Sequence, residues 1–163
     1  MNGDNEMTDT NEMDLSVKIG SMVMPNPVTV ASGTFGYGEE YAQLFDLNEL
    51  GAVVVKGIRR EPMPGNPTPR TAEVTSGMLN AIGLQNPGVD KVVDDILPGL
   101  DFSETRFIAN VSGSTVEEYE RVTKRFDDSD IDAIEINISC PNVKEGGVAF
   151  GNDPEMSARV VAA

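Results

Sequence analysis

Four short apolar runs, each breaking off into a polar cluster, constrain this chain more than any other feature. Residues 28–31 run into Ser32-Gly33, 52–55 into Lys56-Gly57, 107–111 into Ser112-Gly113, and 133–138 into Ser139-Cys140. Their length and Val/Ile content are those of strands. Residues 52–55 show no polar alternation, the pattern of a strand buried on both faces in a parallel sheet. In the last run Ile134, Ile136 and Ile138 alternate with Glu135, Asn137 and Ser139. A small hairpin is expected before them, from Val17 and Ile19 through a Gly-Ser turn to Met22–Met24.

The segments between the runs read as helices. Residues 38–48 carry Tyr41, Leu44 and Phe45 at helical spacing, and 90–97 form a shorter one. Ser114 and Glu117 make a capping-box pattern before a helix over 115–126, whose Val116, Tyr119, Val122 and Phe126 share one side. Asp153-Pro154 caps and opens a last helix. Residues 59–88, with prolines at 62, 64, 67 and 69, read as a long functional loop. Strands alternating with helices mean an α/β fold with a parallel sheet. Pattern alone does not separate an open sheet from a barrel. The polar clusters favour the barrel, because a (β/α)₈ barrel builds its site from the C-terminal ends of several strands, whereas an open sheet concentrates it at one switch point. Four βα units in 163 residues, against roughly 250 residues for a whole barrel, lead us to expect the N-terminal half of a TIM barrel, truncated within a helix.

Composition narrows the chemistry. Residues 1–14, with five acids and no base, read as a disordered acidic tail; Met13 is an alternative start, and one domain is expected over 15–163. There is no run of ~18 apolar residues for a membrane span and no secretory signal pattern. The net charge of −15 repels nucleic acid and anionic lipid. It reads as a solubility surface suited to a salty cytoplasm, the alternative being a basic partner. With a single Cys and no His, a disulfide framework, a multi-Cys or His/Cys metal site and a Ser–His or Cys–His nucleophile pair are excluded within the chain. Proton chemistry falls to Cys, Lys, Tyr or carboxylates.

Cys140 leads the candidates. A lone Cys is often an inert core thiol, but this one ends a strand beside Asn137, Ser139 and Asn142 and precedes a Gly-rich stretch. Thiols ionise close enough to neutrality to act as a general base. Lys56 ends an apolar strand; it either snorkels to the rim or places a cation over an anionic ligand or the electron-rich edge of a flavin. Asn80-Ala81-Ile82-Gly83-Leu84 offers amide donors and acceptors and a glycine for close backbone approach, though on these residues alone ordinary turn chemistry is the preferred reading. Gly33-Thr-Phe-Gly36-Tyr-Gly38 matches neither common phosphate loop.

The stretches ASGTFGYGEEY (31–41), GNPTPR (65–70), LNAIGLQNPG (79–88), IANVSGS (108–114) and INISCPNVKEGGVAFG (136–151) resemble, in order and spacing, class 1 dihydroorotate dehydrogenases. The form around Cys140 is most like the class 1B catalytic subunit. The resemblance implies a (β/α)₈ barrel with FMN at its C-terminal face, oxidising dihydroorotate to orotate in pyrimidine biosynthesis. It implies Cys140 as the base that removes the C5 proton while hydride leaves C6 for the flavin. Ser32, Lys56, Gly57, Asn110 and Asn137 match flavin-contacting positions, and Lys56, Asn80, Ala81, Ile82, Gly83, Leu84 and Asn137 match substrate-contacting ones. It further implies a cytoplasmic enzyme, a homodimer joined in a heterotetramer to a subunit carrying FAD and a [2Fe-2S] cluster, with electrons passing to NAD; fumarate is the other acceptor. The family's second flavin lysine and its phosphate site fall on later strands, so the isolated chain is expected to be inactive. The competing readings are a dihydropyrimidine dehydrogenase-like barrel acting on uracil or thymine, a non-catalytic barrel fragment, and an acidic binding module.

Overall fold

The computed structural model describes residues 13–101, 103, 105–140 and 148–163. Residues 1–12 of the expected tail, and Asn142 with the Gly-rich stretch after Cys140, lie outside the described residues.

The chain opens with an antiparallel hairpin of β1 (Val17–Ile19) and β2 (Met22–Met24), turning at Gly20 with φ +61°. Next come β3 (Thr29–Val30), a single helical turn α1 (Ser32–Phe35) and β4 (Ala52–Val54). A second hairpin joins β5 (Thr71–Val74) to β6 (Gly77–Asn80). Helix α2 (Val89–Lys91) continues into a wider-wound turn over Val92–Ile96 and a tight turn over Leu97–Gly99. Then follow β7 (Arg106–Val111), α3 (Val116–Asp127), β8 (Ala133–Ile136), α4 (Val148–Gly151) and α5 (Pro154–Ala162).

β3, β4, β7 and β8 form one parallel sheet in that order. Each strand lies beside its predecessor among the sheet strands. The order never reverses, as it does at the switch point of a doubly wound sheet, so this is the wall of a barrel. The register sorts the side chains. Val30, Val53, Phe107, Ala109, Val111, Ile134 and Ile136 share one face, with Val55 beyond them by alternation. This face packs against Tyr119, Val122 and Phe126 of α3 and against Val92, Val93 and Leu97. The opposite face carries Ala52, Val54 and Ile108, then Asn110 and Glu135. Arg106 Nε donates to Val23 O at 2.8 Å, tying the first hairpin to the N-terminal end of the sheet and leaving the C-terminal end clear.

Four expectations need correction. Residues 38–48 form no α-helix but two tight turns, Tyr41–Gln43 and Leu47–Glu49. The Asp46 side chain accepts from Asn48 N and starts a fresh turn in mid-segment, and Leu44 faces solvent, so no buried stripe drives a longer helix. Residues 59–88 are not all loop: β5–β6 lies within them, turning at Ser76 with φ +61°. Both strands are exposed, so they lack the apolar alternation by which strands are recognised. The cap of α3 is Thr115, whose hydroxyl accepts from Glu118 N at 3.2 Å, because Ser114 is taken by Arg59. β8 stops at Ile136, short of 138, and β3, β4 and the helix expected over 90–97 are likewise brief or irregular.

Phe126→Ala is expected to lower stability by about 3–5 kcal/mol, and Thr115→Ala by about 1 kcal/mol, read from the midpoint of denaturant unfolding. An unchanged midpoint for Phe126→Ala would contradict the packing of α3 on the sheet.

Candidate active site

Parallel pairing continues past the strand ends, and this continuation builds the site. Val55 N donates to Ile108 O at 3.0 Å, Ile58 N to Asn110 O at 2.8 Å, Ser112 N to Ile58 O at 2.8 Å, and Asn137 N to Val111 O at 2.8 Å. Lys56-Gly57, Asn110 and Asn137 are thereby held side by side at the C-terminal edge. Lys56 N also donates to Gly36 O at 2.9 Å, which brings in the segment after α1.

Ser32, Gly33, Lys56, Gly57, Asn80, Ile82, Leu84, Asn110, Asn137 and Cys140 line a single cleft of about 170 Å³. That is below the roughly 300–1,000 Å³ of a pocket that buries a drug-sized ligand. Cys140 is half-buried in this cleft. Nine of the eleven residues expected from the sequence meet here. The other two, Ala81 and Gly83, serve the loop instead. Ala81 N donates to Arg70 O at 2.8 Å. A Cβ at Gly83, where φ is +77°, would stand 2.8 Å from the Asn66 side chain. Asn66 N donates to Ile82 O at 2.9 Å, and Arg70 bonds Gln85 and the carbonyls of Pro64 and Asn66. The 65–70 and 80–85 segments are thus fastened together, presenting Asn80, Ile82 and Leu84 to the cleft. Leu84 sits at φ +54°, an uncommon conformation for a branched side chain.

Gly57 permits a close approach. A Cβ there would lie 2.8 Å from Asn110 Oδ1 and 3.1 Å from Leu84. The amides form a chain: Asn110 Nδ2 donates to Glu135, Asn137 Nδ2 donates to Asn110 Oδ1 at 3.1 Å, and Asn137 Oδ1 accepts from Ser139 N at 3.2 Å. Tyr119 OH, from the far side of the sheet, donates to Asn137 O at 2.7 Å. Ser112 Oγ is buried beside Gly57 and has no hydrogen-bond partner among the described residues. A larger hollow of about 620 Å³ adjoins and shares Lys56; Tyr37 also lines it. Burial pushes the Tyr37 phenol above its ordinary range, and its hydroxyl has no partner among the described residues. Sequence reading missed Glu135 and Ser112. Glu135 reads in the sequence as strand polarity and Ser112 only as part of the polar cluster that ends its strand, and the register that sets Glu135 opposite Asn110 is what reveals the former.

A salt bridge locks the loops behind the cleft. Arg59 forks onto Glu118, Nε to Oε1 at 2.9 Å and Nη2 to Oε2 at 2.6 Å, and also donates to Ser114 Oγ at 2.6 Å. Ser114 N donates to Glu118 Oε2 at 2.8 Å. The loop after β4 is thereby tied to the loop after β7. Burial alone would raise the Glu118 carboxyl, but the Arg59 and backbone hydrogen bonds outweigh it and hold the group below its ordinary value.

The sequence matches the family profile described as Dihydroorotate dehydrogenase over residues 14–163. It is 52% identical over 152 residues to the "Dihydroorotate dehydrogenase B (NAD(+)), catalytic subunit" of Alkaliphilus metalliredigens, covering 93% of this chain and 50% of that one. The protein of the same name from Desulforamulus reducens is 55% identical over 150 residues, covering 91% and 49%. The chain therefore spans about half the length of the curated relatives it matches. Among solved structures, DHODH from Eimeria tenella in complex with ferulenol aligns with a TM-score of 0.70 at 22% identity, covering 91% of this chain and 42% of that one. The fold is thus that of the (β/α)₈ barrel, of which four strands are present here.

A carboxylate held below its unfolded value stabilises the fold above that value and ceases to do so as pH falls through its folded value. Glu118→Gln is accordingly expected to destabilise the chain at neutral pH, with the gap to the parent closing as pH falls below about 4.5. Thermal unfolding across that range checks it; a gap independent of pH would contradict the ionised clamp.

Proposed function

The chain belongs to the dihydroorotate dehydrogenase family, and from that premise we propose that its cleft is one wall of an FMN and dihydroorotate site. The enzyme so formed oxidises (S)-dihydroorotate to orotate in pyrimidine biosynthesis. The observation that carries this reading is the meeting of Cys140, Lys56, Asn80, Asn110 and Asn137 in one cleft at the C-terminal edge of the sheet.

The residues suit the ring of a flavin. Lys56 and the two amides offer charge and donors, the missing side chain at Gly57 lets Asn110 and Leu84 close onto the backbone at the cleft, and the buried Ser112 hydroxyl has no partner among the described residues. Lys56 is the one cation among the described cleft residues, so a phosphate would be held by other residues. Ser32, Lys56, Gly57, Asn110 and Asn137 are assigned to the cofactor. Lys56, Asn80, Ala81, Ile82, Gly83, Leu84 and Asn137 are assigned to the substrate, with Ala81 and Gly83 acting by shaping the loop. When bound, FMN supplies the hydride acceptor. Cys140 takes the C5 proton of dihydroorotate; the electron pair of that C–H bond forms the C5=C6 double bond as hydride departs from C6, leaving orotate. Negative charge grows on the ring carbonyl during proton loss, and the Asn and Lys56 donors stabilise it. A general base so placed accelerates its step by typically 10²–10⁴-fold.

The relatives' designation as NAD(+)-linked catalytic subunits supports a partner that relays electrons to NAD. We assign that partner FAD and a [2Fe-2S] cluster, within a cytoplasmic heterotetramer built on a homodimer of the barrel. No helix among the described residues is long and apolar enough to cross a membrane.

The reading is tested by completing the barrel with the C-terminal half of the Desulforamulus reducens relative and mixing it with dihydroorotate without oxygen. The expected result is a yellow protein that bleaches, with Cys140→Ser yellow but slower by roughly 10²–10⁴ near neutral pH. The 163-residue chain alone is expected to show no turnover. A colourless completed protein, or a yellow one that responds to uracil and ignores dihydroorotate, would contradict the assignment.

A further inference from the structure

We infer that Glu135 is a positioning residue that fixes which way the amides of Asn110 and Asn137 face, and so makes this wall of the cleft a hydrogen-bond donor surface. The inference rests on the functional reading above for the identity of the ligands, but its geometry stands by itself. Glu135 lies directly opposite Asn110 across the β7–β8 pair, on the face that bears Lys56 by alternation and away from α3. Among the described residues it makes no ion pair, and its carboxylate is engaged by Asn110 Nδ2.

A carboxylate only accepts, whereas an Asn amide has one end that donates and one that accepts. Asn110 must therefore turn its NH₂ to Glu135 and its carbonyl the other way. That carbonyl meets Asn137, 3.1 Å away, so Asn137 must offer its own NH₂. The Asn137 carbonyl is left to face the Ser139 N–H at 3.2 Å, which it does. Three contacts thus run in one sense, from a group that can only accept. Each NH₂ has two hydrogens and spends one within the chain, leaving a second N–H on Asn110 and on Asn137. Both residues line the cleft. The ligand edges that suit such a wall are acceptors: ring carbonyls, unprotonated ring nitrogens and carboxylates.

Without the carboxylate, Asn110 can reverse, and Asn137 with it, presenting carbonyls where the ligand also has carbonyls. A reversed Asn110, itself buried, leaves two acceptors facing each other, the costly arrangement for polar groups. The requirement is for an acceptor at 135 and not for charge, which separates this role from simple electrostatics. Gln can accept through its carbonyl; Leu, of similar size, cannot.

The test compares the completed barrel with Glu135→Gln and Glu135→Leu versions. The first readout is the pair of side-chain amide proton resonances of Asn110 and Asn137, recorded on labelled protein without added ligand. The second is the affinity for FMN and for orotate, by titration of the flavin spectrum. The expected result is that Gln keeps the parent's amide signals and most of its affinity. Leu broadens or shifts both amide pairs and weakens orotate binding by about tenfold. Gln behaving as Leu does would overturn the orientation role in favour of a charge role. Leu behaving as the parent does would overturn it altogether. The amide readout needs no flavin. A protein that shows the expected amide pattern and binds neither FMN nor orotate would leave the relay standing and refute the functional reading instead.

Discussion

Everything at the candidate site depends on one constraint, the unbroken parallel register from β3 through β4 and β7 to β8. Parallel strands in sequential order end at the same edge, and side chains two residues apart share a face. With Val54 opposite Ile108 and Asn110 opposite Glu135, the residues just beyond the apolar stretches must meet. A slip of one residue would send Asn110 into the layer of α3 and bring Val111 into the cleft. The outer face guards against that slip, because Phe107, Ala109 and Val111 are wholly buried against the helices. The core thus sets the register, and the register sets the chemistry.

Loops complete what the sheet begins. The Arg59–Glu118 clamp joins the loops after β4 and β7 behind the cleft, and the fastening of 65–70 onto 80–85 presents Asn80, Ile82 and Leu84 in front. Both rest on polar contacts between segments apart in the sequence. Hydrogen bonds of this kind contribute modest net stability but strong direction, which suits segments whose task is to hold a few side chains in place.

Much of this was legible in the sequence for a physical reason. Continuous apolar runs such as 52–55 belong to few structures, and polar residues at their ends, Lys56, Asn110, Asn137 and Cys140, stand out against them. Short-range turns were less legible. The segment 38–48 carries apolar residues at helical spacing, yet the Asp46 cap divides it. The β5–β6 hairpin hides because neither face is buried. Ser114 and Thr115 both suit a cap, and only the distant Arg59 decides between them. Glu135 was least legible of all. Its alternation with Ile134 and Ile136 reads as ordinary strand polarity until the neighbouring strand is set beside it.

The central claim is that these strand ends form a working ligand wall with Cys140 upon it, and Cys140 is the single cysteine of the chain. The most direct measurement is the rate at which iodoacetamide alkylates Cys140 in the FMN-loaded, completed barrel, followed by mass on the peptide that contains it, with and without orotate. The account expects orotate to slow alkylation about tenfold or more at saturation, since a bound ligand shields what it touches, and expects alkylated protein to keep its flavin while failing to bleach with dihydroorotate. Alkylation at the same rate with and without orotate, or modified protein that still bleaches, would contradict it.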